Sequence, residues 1–167
     1  MKKLIALAIA ATLLLTGCGA GGNDVGGGNK PAFKTAGITL NDTNLFIGGN
    51  LSADKKASLG EPISTSEAPS CLYEGMDTIY EYEGFSVQTS QVGDSEIVVM
   101  ITVETADHTT AKGIKIGDTA EAAANAYGEA VEETRNYVVY NDDANTTVTF
   151  SLKDGKITAI EYAQVNG

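Results

Sequence analysis

The 167-residue sequence predicts an α+β fold of two tandem repeats, each a short helical segment packed on an antiparallel β-meander, the two able to form one continuous sheet. Three observations carry this. The stretches NLFIGGNLSADKKASLGEPI (44–63) and GIKIGDTAEAAANAYGEAV (113–131) read alike, each a glycine turn feeding a short helix that ends in an apolar residue plus glycine. Each is followed by runs alternating apolar and polar residues with period two, the mark of half-buried strands. Asp154-Gly155, set between two such runs, is a strong hairpin signal.

The chain opens with Lys2 and Lys3, then an apolar or small run from Leu4 to Leu15, then Thr16-Gly17-Cys18. This reads as a signal peptide over residues 1–17. The run is shorter than the roughly 20 apolar residues that a membrane-spanning helix needs. Residues 18–37 follow as a tether. GAGGNDVGGGNK (19–30) holds six glycines in twelve residues and one valine, too little apolar surface to offset the entropy of ordering. As a glycine-rich coil the tether has a span of about 25 Å, enough to lift a domain clear of an anchor.

Repeat 1 occupies residues 38–104 and repeat 2 residues 105–167. Leu45, Ile47 and Gly48 match Ile114, Ile116 and Gly117 at an offset of 69; Leu59-Gly60-Glu61 match Tyr127-Gly128-Glu129 at an offset of 68. Tyr80-Glu81-Tyr82 falls against Val138-Val139-Tyr140, and the last strands start at Ile97 and Ile157. Gly48 and Gly117 open the helices; Gly128 closes the second as a left-handed cap, and Gly60 followed by Glu61-Pro62 stops the first. Ser52 caps the first helix, whose Ala53 and Ala57 share a face. Asp118 or Thr119 caps the second, with Glu121 at capping-box spacing from Asp118. Ala120, Ala123, Ala124 and Tyr127 form one narrow apolar face suited to a sheet. In the first meander Tyr80 and Tyr82 oppose Glu81 and Glu83, then Phe85, Val87 and Thr89 alternate. The almost wholly apolar Ile97–Val103 suits a strand covered on both faces or an interface between the halves. The second meander takes Tyr137–Asn141, Thr147–Leu152 and Ile157–Tyr162.

Charge excludes one class of partner. The full chain carries 11 basic and 22 acidic residues; without Lys2 and Lys3 the basic count falls to 9 and the net charge to −13. Such a surface is repelled by phosphate backbones, so no nucleic acid is expected. The glycines before each helix lack the further glycines and set Lys or Ser/Thr of a phosphate loop, so they read as structural turns. Cys71 has His108 as its only candidate base, in the inter-repeat segment, and reads as a small buried or half-buried residue. Two acidic groups, Glu74/Asp77/Glu81/Glu83 and Glu132/Glu133/Asp142/Asp143, lack calcium-loop spacing and read as a solvated face. No metal, catalytic residue or enzyme activity is therefore expected. Tyrosines Tyr73, Tyr80, Tyr82, Tyr137 and Tyr140 form the candidate binding surface, because tyrosine is enriched where proteins meet; the competing reading places them in the core.

The I-G-x-[ST] start of Ile116-Gly117-Asp118-Thr119, the helix closing at Tyr127-Gly128-Glu129, and the looser copy from Ile47-Gly48-Gly49 to Leu59-Gly60-Glu61 resemble the tandem modules of the β-lactamase inhibitory protein family. The pattern is also similar to the single-repeat outer-membrane assembly lipoproteins of the SmpA/OmlA (BamE) type. EAPSCLYEGMDTIYEY (67–82) looks like a segment that recurs in small lipoproteins of Gram-positive bacteria, and the end of the signal peptide resembles a bacterial lipobox. The lipobox resemblance implies diacylglycerol on Cys18 and no other cofactor, a mature protein anchored on the outer side of the cell membrane, and Cys71 as its one free thiol. The family resemblance implies non-catalytic binding of another envelope or extracellular protein through a sheet face or protruding loops. The alternative is an envelope sensor or binding protein for a small solute, glycan or cation. The inhibitors are secreted free and contain disulfides, unlike this chain, so no inhibitory loop residue is carried over.

Overall fold

A computed structural model describes residues 37–143 and 145–165. The signal peptide, Cys18 and the tether to residue 36 lie outside the described residues. The first half begins with a hairpin of β1 (Gly37–Leu40) and β2 (Thr43–Phe46), turned by Asn41-Asp42, both at positive φ. Helix α1 (Ala53–Leu59) leads into a meander of β3 (Ser64–Pro69), β4 (Met76–Tyr82), β5 (Phe85–Val92) and β6 (Ser95–Val103). The second half has α2 (Ala120–Tyr127), then β7 (Glu132–Glu133), β8 (Tyr137–Asp143), β9 (Thr146–Lys153) and β10 (Lys156–Gln164). The strands of both meanders lie in one eight-stranded antiparallel sheet, in the order β3-β4-β5-β6-β10-β9-β8-β7. The fold is thus α+β with a sheet continuous across both halves. Each half has a fourth, outer strand that alternation does not reveal: STSEAP of β3 is almost wholly exposed and β7 is two residues long.

The duplication is visible in backbone hydrogen bonds. Gly48 N donates to Val98 O (2.8 Å), Val98 N to Gly49 O (2.8 Å) and Leu51 N to Glu96 O (2.7 Å). The second half repeats this set: Gly117 N to Ile157 O (2.8 Å), Ile157 N to Asp118 O (2.9 Å) and Ala120 N to Gly155 O (3.1 Å). The glycine turn before each helix is therefore a clamp on the last strand of its own half. Both clamp glycines sit at positive φ, 78° and 93°, where a β-carbon is disfavoured. Val98, not Ile97, is the counterpart of Ile157, and the offset in these strands is 59. Bulges confirm it: Val99 is the extra residue between the pairs Thr89–Val98 and Gln88–Met100, and Thr158 between Leu152–Ile157 and Ser151–Ala159.

Strands β6 and β10 join the halves, so the apolar run 97–103 is the inter-repeat interface. Val103 pairs with Ile160 and Ile101 with Tyr162; between them Thr102 pairs with Glu161. At an offset of 59 Thr102 and Glu161 are equivalent residues, so a local two-fold axis passes through this pair.

The core lies between the sheet and a layer made of α1, α2 and the β1–β2 hairpin, and includes Ile38, Leu40, Leu59, Val87, Ile101, Ala123, Phe150 and Ile160. The two helices reach it differently. Ala123 is fully buried in α2, flanked by Ala122, Ala126 and Tyr127, whereas Ala124 is exposed. In α1 Ala53 and Ala57 are exposed, and the helix buries Leu59 alone. Its contacts come from lysines, with Lys55 Nζ 5.3 Å from the Phe46 ring centre and Lys56 Nζ 4.4 Å from that of Tyr80. The alanine-face expectation therefore holds only in part for α2 and fails for α1. Ser52 and Thr119 are the N-caps, and Gly60 and Gly128 the C-caps. Asp118 makes no capping box; its Oδ2 accepts from Lys115 N (2.9 Å) and fixes the turn before the helix.

Candidate functional site

Both helices cover the sheet face that carries Phe85, Val87, Ile101, Val148, Phe150 and Tyr162. Strand alternation turns the intervening residues to the opposite face, which neither α1 nor α2 covers. Its central rows are short or unbranched: Gln88, Met100, Thr102, Thr147, Thr149 and Ala163. Glu161 lies at the middle, on the two-fold axis. It is half-buried, and its carboxylate has no hydrogen bond or ion pair among the described residues. Burial pushes its carboxyl above the ordinary glutamate range.

One end of this outer face carries a polar knot. Asp77 is 2% exposed. Its Oδ1 accepts from Ser90 Oγ and its Oδ2 from Gln88 Nε2 (2.8 Å). Ser90 Oγ also lies 3.3 Å from Ser70 Oγ, which accepts from the amides of Leu72 and Tyr73. The loop after β3 is held by these bonds. It reaches the other half through Tyr73, whose hydroxyl accepts from Gln164 Nε2 (3.0 Å).

The helix side carries two charged clusters and a cleft. Lys56 Nζ pairs with Glu96 (2.5 Å) and donates to Tyr80 OH (2.6 Å), while Thr89 Oγ1 donates to Glu96 (2.8 Å). Burial opposes both charges, but these bonds win: Glu96 is held below the usual carboxylate range and Lys56 above the usual lysine range. In the second half Lys112 pairs with the buried Asp142 side chain (3.0 Å), and its ammonium lies 4.1 Å from the ring centre of Tyr127. Tyr127 OH is 3.0 Å from Tyr162 OH. The cleft, of about 490 Å³, opens beside the end of α1 and is lined by Glu61, Glu83, Asp107, His108, Tyr82 and Phe85 among others.

The tyrosines do not form one binding surface. Tyr82 (7% exposed) and Tyr140 (2%) are core residues, and Tyr80 is tied into the Lys56–Glu96 cluster on the helix side. Tyr137 bonds to Glu132, and Tyr73 to Gln164. The core reading prevails for Tyr82 and Tyr140, because the alternation that puts them on strands also turns them inward. Cys71 is exposed, not buried. His108 packs edge-on against Phe85 at 5.7 Å, and Phe85 lies at the opposite end of β5 from Ser90, about 17 Å along the strand from the loop that holds Cys71. The structure does not bring the two together. The acidic residues are not all solvated either, since Asp77 and the Asp142 side chain are buried. Sequence reasoning missed Glu161 and the cleft acids. A glutamate in an alternating strand looks solvated, and Glu61, Glu83 and Asp107 converge from three separate segments.

Among the described residues these features define a duplicated α+β sheet protein with α1 and α2 on one face of the sheet and no element on the other. No family model matches the chain, and none of the curated proteins matches it, so neither the β-lactamase inhibitory proteins nor the SmpA/OmlA type is assigned. Among solved structures it is similar to the DUF4309 family protein YjgB from Bacillus subtilis subsp. subtilis str. 168. The identity is 14% and the TM-score 0.43, over 77% of this chain and 88% of that one. No helix among the described residues is long and apolar enough to cross a membrane.

Proposed function

We propose that the chain is a non-catalytic lipoprotein, anchored through diacylglycerol on Cys18 at the extracytoplasmic face of the cell membrane, whose open sheet face binds another envelope or extracellular protein. The observation that carries this is Glu161, a half-buried carboxylate with no partner among the described residues, at the centre of that face. Desolvating a charge without a partner costs stability, and a basic side chain supplied by a docked protein offsets that cost. Short neighbours such as Thr102, Thr149 and Ala163 let a partner approach the sheet closely. Resemblance to modules that bind through a sheet face points the same way.

The test is a photo-reactive amino acid placed at Thr149 on the open face, or at Glu121 on the exposed side of α2, in intact cells. A discrete protein adduct from position 149 that is lost in Glu161→Lys and absent from position 121 is the expected result. Adducts that do not depend on position overturn the reading. So does a small solute, glycan or ion that raises the melting temperature when no adduct forms, which is the outcome the sensor alternative requires. For the anchor, Cys18→Ala moves the protein out of the membrane fraction; retention there refutes lipidation as the attachment.

A further inference from the structure

We infer that the cleft beside α1 is a binding site for an alkylammonium group. It lies on the helix side of the sheet, so it is independent of the open face. Three carboxylates line it: Glu61 after α1, Glu83 in the β4–β5 turn and Asp107 in the inter-repeat segment. No lysine or arginine does, and His108 is the one side chain there able to carry positive charge. Among the described residues no three acidic, histidine or cysteine side chains approach closely enough to hold a metal ion. The carboxylates therefore suit a larger cation that spreads several N–H donors, or a charge on an apolar stem.

The wall supplies the stem's surroundings and a further acceptor. Tyr82 and Phe85 stack at 4.6 Å, with Leu59 beside them. Tyr82 is more than nine-tenths buried, and its hydroxyl has no hydrogen-bond partner among the described residues. Burial is the main influence that holds this phenol protonated; the Lys56 ammonium, itself engaged by Glu96, opposes it, and Tyr80, Glu96 and Glu61 add to it in decreasing measure. Its oxygen lone pairs are open to an ammonium donor. The second half is built differently at the equivalent place. Leu59 is replaced there by Tyr127, whose ring lies 5.5 Å from that of Tyr140, the counterpart of Tyr82. The wall residue at the end of the helix thus differs between the halves, leucine beside the cleft in the first and tyrosine in the second.

The ammonium comes either from a free amine or from a lysine side chain of a protein, and two probes distinguish these sources: cadaverine, and N-acetyl-lysine N-methylamide. Each is titrated into the purified full chain by calorimetry and followed by amide chemical shifts. The expected result is saturable binding of at least one probe, with shifts centred on Leu59, Tyr82 and His108. The double variant Glu61→Gln/Asp107→Asn weakens it about tenfold or more, Tyr82→Phe weakens it less, and Glu132→Gln, a distant acid, leaves it unchanged. Cadaverine alone binding assigns a small-molecule amine, and the blocked lysine binding assigns a protein side chain. No saturable binding of either, or equal weakening by Glu132→Gln, overturns the inference; neither outcome bears on the open face.

Discussion

Glu161→Thr should make the protein more stable at neutral pH. Glu161 pairs with Thr102, its own repeat counterpart, so threonine there restores on the axis the residue that the first half already carries. A threonine pair directly across two strands contributes about 0.2–1 kcal/mol, and threonine suits a strand better than glutamate by a further part of a scale spanning about 1 kcal/mol. The change also removes a half-buried charge that has no partner among the described residues. Together these give about 0.5–1.5 kcal/mol, or about 2–5 °C in melting temperature for a domain of this size. The pH dependence follows from the sign of the shift. Because burial raises this carboxyl above its ordinary value of 4.5, the wild-type contribution is fully present below that value and is lost as pH rises through the folded-state pKa. The advantage of the variant is therefore largest at pH 7 and shrinks at pH 4. Thermal melts followed by circular dichroism at both pH values read it directly. An equal gain at both, or a loss at pH 7, refutes the desolvated-charge account. In cells the same variant loses the adduct at position 149, a stability gain set against function.

Other outcomes follow from the clamps, the charged cluster and the helices. Gly48→Ala and Gly117→Ala each place a β-carbon at positive φ with open space around it, so each loses about 1–2 kcal/mol in urea denaturation; a neutral result in either would break the equivalence of the halves. Glu96 has a depressed pKa, so its contribution is present above pH 4.5 and lost as pH falls through the folded value. Glu96→Gln therefore flattens the acid limb of the stability profile, and an unchanged limb would show the pair to be inert. Ala123→Leu overpacks a fully buried site and costs about 1–3 kcal/mol, whereas Ala57→Leu, on the exposed side of α1, stays within about 0.5 kcal/mol. Similar losses from both would mean that α1 buries its alanines after all.

Local patterns carried most of the fold. Two glycine-bounded helices, the alternation in 80–89 and 147–152 and the Asp154-Gly155 turn were legible because each is specified by residues close in sequence. The edge strands were not, since β3 and β7 exist only because β4 and β8 offer them partners. The one-residue slip between Ile97 and Val98 has the same origin. A bulge at Val99 breaks the alternation, and backbone hydrogen bonds, invisible in sequence, fix the register. The sites were least legible. Composition pointed to tyrosine, and burial took Tyr82 and Tyr140 into the core. Glu161 and the three cleft acids gain meaning only from what surrounds them in space.

The pairing of Thr102 with Glu161 has a consequence for how the molecule behaves on dilution. Two separate copies of one half, joined edge to edge across such an axis, would come apart on dilution and would have to be identical. With both halves on one chain the junction forms at an effective concentration independent of how sparsely the protein is distributed. Each copy thus holds its whole sheet alone, and either half can change without obliging the other to follow. Leu59 lining a cleft in one half, and Tyr127 set against Tyr140 and Phe150 at the equivalent position in the other, is an asymmetry that a symmetric pair could not hold.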